Sequence, residues 1–236
     1  MTDIPFSKSH PATAGRSVSA VILAAGRSSR QQGFKPLLPI GDQTVLEHCL
    51  DLFQGQEAGP IQALVVLGHR AEQLLPLVKQ HGARPVLNPD PDQGMFSSVQ
   101  AGAATLDASI QAFFVLPVDI PLVRPLTVSA LLQAMSERHD PQAFIPSFAG
   151  RSGHPPLLRS SLIPAIMAYG GSRGLRGVLE SAWVETVDVP DRHILVDIDT
   201  PEQYRQALDL WQHRDTLPKG SRNAAGPGIP GEKEGR

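Results

Sequence analysis

The chain of 236 residues has one cysteine, Cys49, so an intramolecular disulfide is impossible and a small disulfide-stapled scaffold is excluded. Cys49 lies in an apolar helical stretch and is read as a buried small hydrophobe in a reducing compartment. An excess of charge of one sign is also lacking. There are 21 Lys+Arg against 23 Asp+Glu, a formal net charge of -2, and this removes the basic surplus of a general nucleic-acid binder while leaving room for a compact phosphate site. No stretch approaches about 18 uninterrupted apolar residues, and MTDIPFSKSHPATAGRS has no apolar core of signal-peptide length. Neither a membrane nor secretion is expected, and the expected location is cytoplasmic. What the chain does have is 41% hydrophobic residues, enough to build the core of one large α/β domain or of two small ones.

Residues 1–16, polar and punctuated by proline, are expected to form a flexible N-terminal segment. The Gly/Pro-rich tail 218–236 has Ile229 as its only large aliphatic residue and is expected to be disordered, since so little burial cannot repay ordering. The folded domain is therefore placed at 17–217. Val18, Val21, Ile22 and Leu23 predict a buried first strand that ends before the Gly26 turn. Further strands are predicted from Ile61 to Leu67, Arg84 to Leu87, Ala112 to Val118, Ala143 to Pro146, Trp183 to Val187 and His193 to Val196. Helices are predicted from Thr44 to Phe53, Arg70 to Gln80, Ser97 to Ala108, Pro125 to Arg138, Ser161 to Tyr169, Gly174 to Glu180 and Pro201 to His213. Gly150 to Leu158 reads as an inserted hairpin or irregular lip, and Trp183 and Trp211 as packing residues. Apolar strands that each end in a polar or Gly-rich loop indicate a doubly wound, mostly parallel central sheet with a small substrate lobe. Ligands bind such sheets beyond the carboxyl ends of the strands.

Three signals fall at those ends. In LAAGRSSRQQGFK, Gly26 and Gly33 permit tight turns, while Arg27, Arg30 and Lys35 supply charge for a polyphosphate. The pattern is neither GxGxxG nor GxxxxGK[ST], so neither a nicotinamide fold nor a P-loop is indicated. In PVDIP, Asp119 follows a buried strand, and its hard carboxylate suits Mg2+. In DIDTP, period two places Asp197 and Asp199 on one side of an extended segment; Asp199 or Thr200 can cap the helix at Pro201, and Asp197 is assigned to metal and Asp199 mostly to capping. NPDPDQGMFSSVQ offers Gly94 for a turn and Ser97 and Ser98 for capping or for a base, with Asp90 and Asp92 as turn formers. His154 in RSGHPPLL and Arg173 and Arg176 in GGSRGLRG are candidates for the second substrate, each with packing or solvation as the plain alternative.

At these positions the chain resembles the molybdenum-cofactor nucleotidyltransferases, within the glycosyltransferase-A-like (nucleotide-diphospho-sugar transferase) superfamily, and looks most like the cytidylyltransferase branch. The signature LAAGxSxRMGxxK is met by Leu23, Ala24, Ala25, Gly26, Ser28, Arg30 and Lys35, with Gln31 and Gln32 in place of Met-Gly. The base-facing NPxxxxGxxxS pattern corresponds to Asn88, Pro89, Gly94 and Ser98, and GHP to Gly153, His154 and Pro155. The resemblance implies Mg2+ on Asp119 and Asp197 and a catalytic set of Arg30, Lys35 and Asp119. It also implies transfer of CMP from CTP to molybdopterin or molybdenum cofactor with loss of pyrophosphate, and a molybdoenzyme as receiving partner. Nucleotidyl transfer to a sugar phosphate and non-catalytic nucleotide binding stand as the alternatives.

Overall fold

The structure, a computed structural model, describes residues 18–27, 33–56 and 59–213. The expected terminal segments 1–16 and 218–236 lie outside the described residues. Strand β1 (Val18–Ala24) is the axis of the sheet, and its alternation explains why. Ala20, Ile22 and Ala24 enter one core while Val21 and Leu23 enter the other, as a strand covered on both faces requires.

A short hairpin, β2 (Pro39–Ile40) and β3 (Gln43–Thr44), leads into α1 (Val45–Gln54), whose start is fixed by a capping box between Thr44 and Glu47. Strand β4 (Gln62–Leu67) lies parallel to β1, and α2 (Ala71–Gln80) runs on through Pro76 with Leu74 and Val78 buried. Strand β5 (Arg84–Leu87) extends the sheet beside β4. Helix α3 (Met95–Ala103) then crosses to β6 (Ala112–Pro117), parallel to β1 on its other side. Helix α3 sits close on the sheet at Gly102, where a Cβ would collide with Val21 Cγ1.

Helix α4 (Pro125–Glu137) precedes β7 (Ala143–Phe148), β8 (Arg151–Ser152) and β9 (Leu157–Arg159). Helices α5 (Ile163–Ala168) and α6 (Gly174–Leu179), strand β10 (Val184–Asp188) and α7 (Pro201–Gln212) complete the described elements. The order is β10-β7-β9-β6-β1-β4-β5, with β8 on β7. The doubly wound α/β expectation holds, but the sheet is mixed. The segment read as an inserted hairpin or irregular lip does fold back as a hairpin, β8 pairing antiparallel with β7, and it then sends β9 into the middle of the sheet, antiparallel to both β6 and β7. Helices α1, α2, α4 and α7 cover one face, and α3, α5 and α6 the other.

Other boundaries moved for local reasons. Helix α3 starts at Met95 instead of Ser97 because Gly94, with φ of 93°, lets the chain turn directly into it. It ends at Ala103, before Ala108, where the Thr105 hydroxyl donates back to the Gly102 carbonyl at 2.9 Å. The strand expected from His193 to Val196 is a 3-10 turn, Arg192–Leu195. Asp191 nucleates it by accepting from the His193 amide at 3.1 Å and from His193 Nδ1 at 2.8 Å. Trp183 is 59% exposed and packs little, whereas Trp211 sits edge-on to His48 with 4.3 Å between ring centroids. Cys49 is fully buried and its Sγ donates to the Val118 carbonyl, and burial pushes its thiol pKa up.

Candidate functional site

The carboxyl ends of β1 and β6 border a cavity of about 270 Å3. Leu23, Ala24, Ala25 and Gly26 form one wall, Gly94 and Ser98 another, and Lys35 and Asp119 also line it. Lys35, in a 3-10 turn (Lys35–Leu37), is buried, and its Nζ donates to Asp199 Oδ1 at 2.6 Å and to Asp119 Oδ2 at 3.4 Å. The Ile198 amide donates to the Asp119 carbonyl at 3.0 Å, docking the late segment on the loop that follows β6. Burial raises the pKa of Asp119 above the ordinary carboxylate value. The Lys35 ammonium opposes that rise and the Asp199 charge adds to it.

The pair around Lys35 is not the expected one. Asp197 is turned to its own helix, where its carboxylate accepts from Gln203 Nε2 at 2.5 Å. Since Asp197 follows a 3-10 turn, the period-two argument had no strand to act on. Capping of α7 falls to Thr200, whose hydroxyl accepts from the Gln203 amide at 3.2 Å while Gln203 Oε1 accepts from Thr200 N at 2.9 Å. Asp199, expected to cap, therefore faces Lys35.

Asn88 is buried behind the Ser98 wall, and its Nδ2 donates to Ser97 Oγ at 2.8 Å and Ser98 Oγ at 3.0 Å. Neither serine caps α3. Asp92, read as a turn former, does more. It accepts from Arg27 Nε at 2.8 Å and His69 Nε2 at 3.0 Å, and those hydrogen bonds pull its pKa down to about 2. This clasp joins the loop after β1 to the loop after β5, two lips of the cavity, and nothing in a Pro-Asp-Gln-Gly turn announces it.

The residues expected at the second substrate divide. His154 and Arg176 line a neighbouring cavity of about 690 Å3, together with Ser152 and Glu180. Arg173 is paired with Glu180, Nη1 to Oε2 at 2.6 Å, and is absent from that lining. His154 Nδ1 is buried with no hydrogen-bond partner among the described residues, and burial lowers the imidazole pKa. The peptide bond from His154 to Pro155 is cis, and Gly153 packs so closely that a Cβ would meet the Ile194 carbonyl at 2.5 Å. Arg30, with Ser28, Gln31 and Gln32, lies outside the described residues.

Sequence reasoning missed Asp191. It is buried, and its carboxylate accepts from Arg124 N at 2.8 Å and Thr127 Oγ1 at 2.9 Å as well as from His193. Burial alone would raise its pKa, but the hydrogen bonds from His193, Arg124 N and Thr127 outweigh it and hold the value low. Asp191 thereby ties the start of α4 to the turn ahead of Asp199. Among the described residues no group of three or more His, Cys, Asp and Glu side chains could hold a metal, and no helix is long and apolar enough to cross a membrane.

Residues 20–187 match the model of the MobA-like NTP transferase domain. The chain belongs to that family. Among its relatives is a nicotine blue oxidoreductase from Paenarthrobacter nicotinovorans, 31% identical, with 81% of this chain and 96% of that protein covered. Another is the molybdenum cofactor cytidylyltransferase of Escherichia coli, 26% identical over 82% of this chain and 97% of that one. Among solved structures, Rv0371c from Mycobacterium tuberculosis superposes with a TM-score of 0.70 at 25% identity, covering 82% of this chain and 97% of that one. The MobA-like domain thus accounts for the observed sheet, and family and fold together place the chain among the nucleotidyltransferases.

Proposed function

We propose that the chain transfers CMP from CTP to the phosphate of molybdopterin, with or without molybdenum bound, and releases pyrophosphate. The observation that carries this reading is the Lys35 ammonium, held between Asp119 and Asp199 at the edge of the cavity beyond β1 and β6. An acceptor phosphate oxygen would attack the α-phosphorus, and the bond from that phosphorus to the bridging oxygen would break, with its electron pair leaving on pyrophosphate. No side-chain nucleophile is needed. Lys35 offsets phosphate charge, the backbone from Leu23 to Gly26 borders the phosphates, and Asn88, through Ser98, shapes the base side. His154 and Arg176 meet the acceptor in the larger cavity. Arg30 is kept as a phosphate ligand from the signature, and Arg173 would contribute only if released from Glu180.

The donor set fits a hard divalent cation. Two carboxylates converge on one positive charge, and burial penalises the charge of Asp119 unless a cation stands near it. Mg2+ would be held by Asp119 and Asp199, in place of the Asp119 and Asp197 pair first expected. When bound, it supplies stabilisation of the charge on the transferring group and on pyrophosphate. CTP and molybdopterin are supported by the likeness to the Escherichia coli cytidylyltransferase, and a molybdoenzyme in the same compartment, the cytoplasm, is the partner such a product implies.

The test is a matrix of the four NTPs against molybdopterin, molybdenum cofactor and sugar 1-phosphates with Mg2+, read by pyrophosphate release and product mass. The cytosine dinucleotide is the expected product; product only with a sugar phosphate would move the assignment, and no product anywhere would end it. A second reading, redox chemistry on the same scaffold, is favoured by the 31% identity to the oxidoreductase. A change of oxidation state in a substrate without pyrophosphate release would select it.

A further inference from the structure

A second cavity of about 330 Å3 lies between α1, residues 121–125 and the end of α7, and it shares no lining residue with the nucleotide cavity. Two imidazoles on its wall are more than nine-tenths buried, His48 at 7% and His193 at 6% exposure. Each has one ring nitrogen committed. His48 Nε2–H donates to the Ile40 carbonyl at 2.8 Å, and His193 Nδ1–H donates to the Asp191 carboxylate at 2.8 Å. A carbonyl and a carboxylate only accept, so in the neutral rings His48 Nδ1 and His193 Nε2 carry lone pairs. Neither of these nitrogens has a partner among the described residues, and both rings line the cavity.

Asp51 adds a carboxylate to the same wall, where it accepts from Gln43 Nε2. The remaining surface is largely apolar, with Leu52, Leu122 and the Trp211 ring. Acceptors set in an apolar wall leave a desolvation cost that an occupant bearing donors would remove. Arg124 at the mouth would by itself favour an anion, which makes an anion the competing occupant.

We propose that this cavity binds a small flat nitrogen heterocycle or arylamidine whose edge carries N–H donors for His48, His193 and Asp51. The site stands independently of the nucleotidyl-transfer reading. Residues 121–125 continue the loop that presents Asp119, so the occupant touches that loop from outside the nucleotide cavity.

The probe is benzamidine, with benzoate as the counterpart of the same shape that offers acceptors only. The full chain carrying Trp183→Phe keeps Trp211 as its one tryptophan, a reporter in the cavity wall. Benzamidine should change Trp211 fluorescence saturably at about millimolar concentration, with benzoate at least roughly tenfold weaker. Asp51→Asn and His193→Gln should each weaken benzamidine by about fivefold or more. His193→Gln also disturbs the bond to Asp191, so Asp51→Asn, on a half-buried position, is the arm that leaves the fold alone. Absence of a saturable change, benzoate binding as tightly as benzamidine, or undiminished benzamidine affinity in both variants would overturn the proposal.

Discussion

Asp119 is held where burial disfavours its charge, and Lys35 compensates that cost only in part. Asp119→Asn removes a charge from the cavity without changing its shape, and Lys35 retains its 2.6 Å contact to Asp199. Turnover should fall at least about a hundredfold while the melting temperature stays level or rises. Equal loss of activity and stability would make Asp119 structural, and steady-state kinetics beside thermal melts decides it. Asp191 is the opposite case, since its pKa is lowered in the folded state. Its contribution is present above the ordinary aspartate value of about 3.9 and is lost as pH falls through the lower folded value. Asp191→Asn should therefore cost about 3 kcal/mol at neutral pH, and the gap to the wild type should narrow below about pH 5 in melts across a pH series.

At the scale of elements, the start of α7 determines which acid reaches Lys35. Thr200 caps the helix, Gln203 closes the box and also holds Asp197, and Asp199 is left to point across to Lys35. Thr200→Ala should cost about 1 kcal/mol of stability and raise KM for the nucleotide severalfold, because Asp199 loses its rigid mount. A stability loss with unchanged KM would separate capping from site geometry. The same region shows why part of the site was hidden. DIDTP reads equally well as a strand end or a helix start, and only the Asp191 turn decides between them. LAAG and PVDIP were legible because each closes an apolar strand, and β1 and β6 prove adjacent and parallel in the sheet.

For the whole molecule, a site assembled from the loop after β1, the loop after β6 and the approach to α7 ties ligand binding to global folding. CTP with Mg2+ at a hundredfold excess over Kd should add about 2.7 kcal/mol of stability, read as a rise in melting temperature that Lys35→Ala reduces sharply. No shift with any NTP would count against a nucleotide site. The sequence by itself determined the α/β class, the central strands, the position of Asp119 after β6 and the cationic turn after β1, because strand burial and turn chemistry are local properties of a few neighbouring residues. Tertiary structure alone decided that β9 enters the sheet antiparallel, that Asp199 and not Asp197 faces Lys35, that Arg173 is taken by Glu180, and that Asp92 clasps Arg27. Each of these depends on which partner a polar group meets across the fold, and local pattern carries no record of that choice.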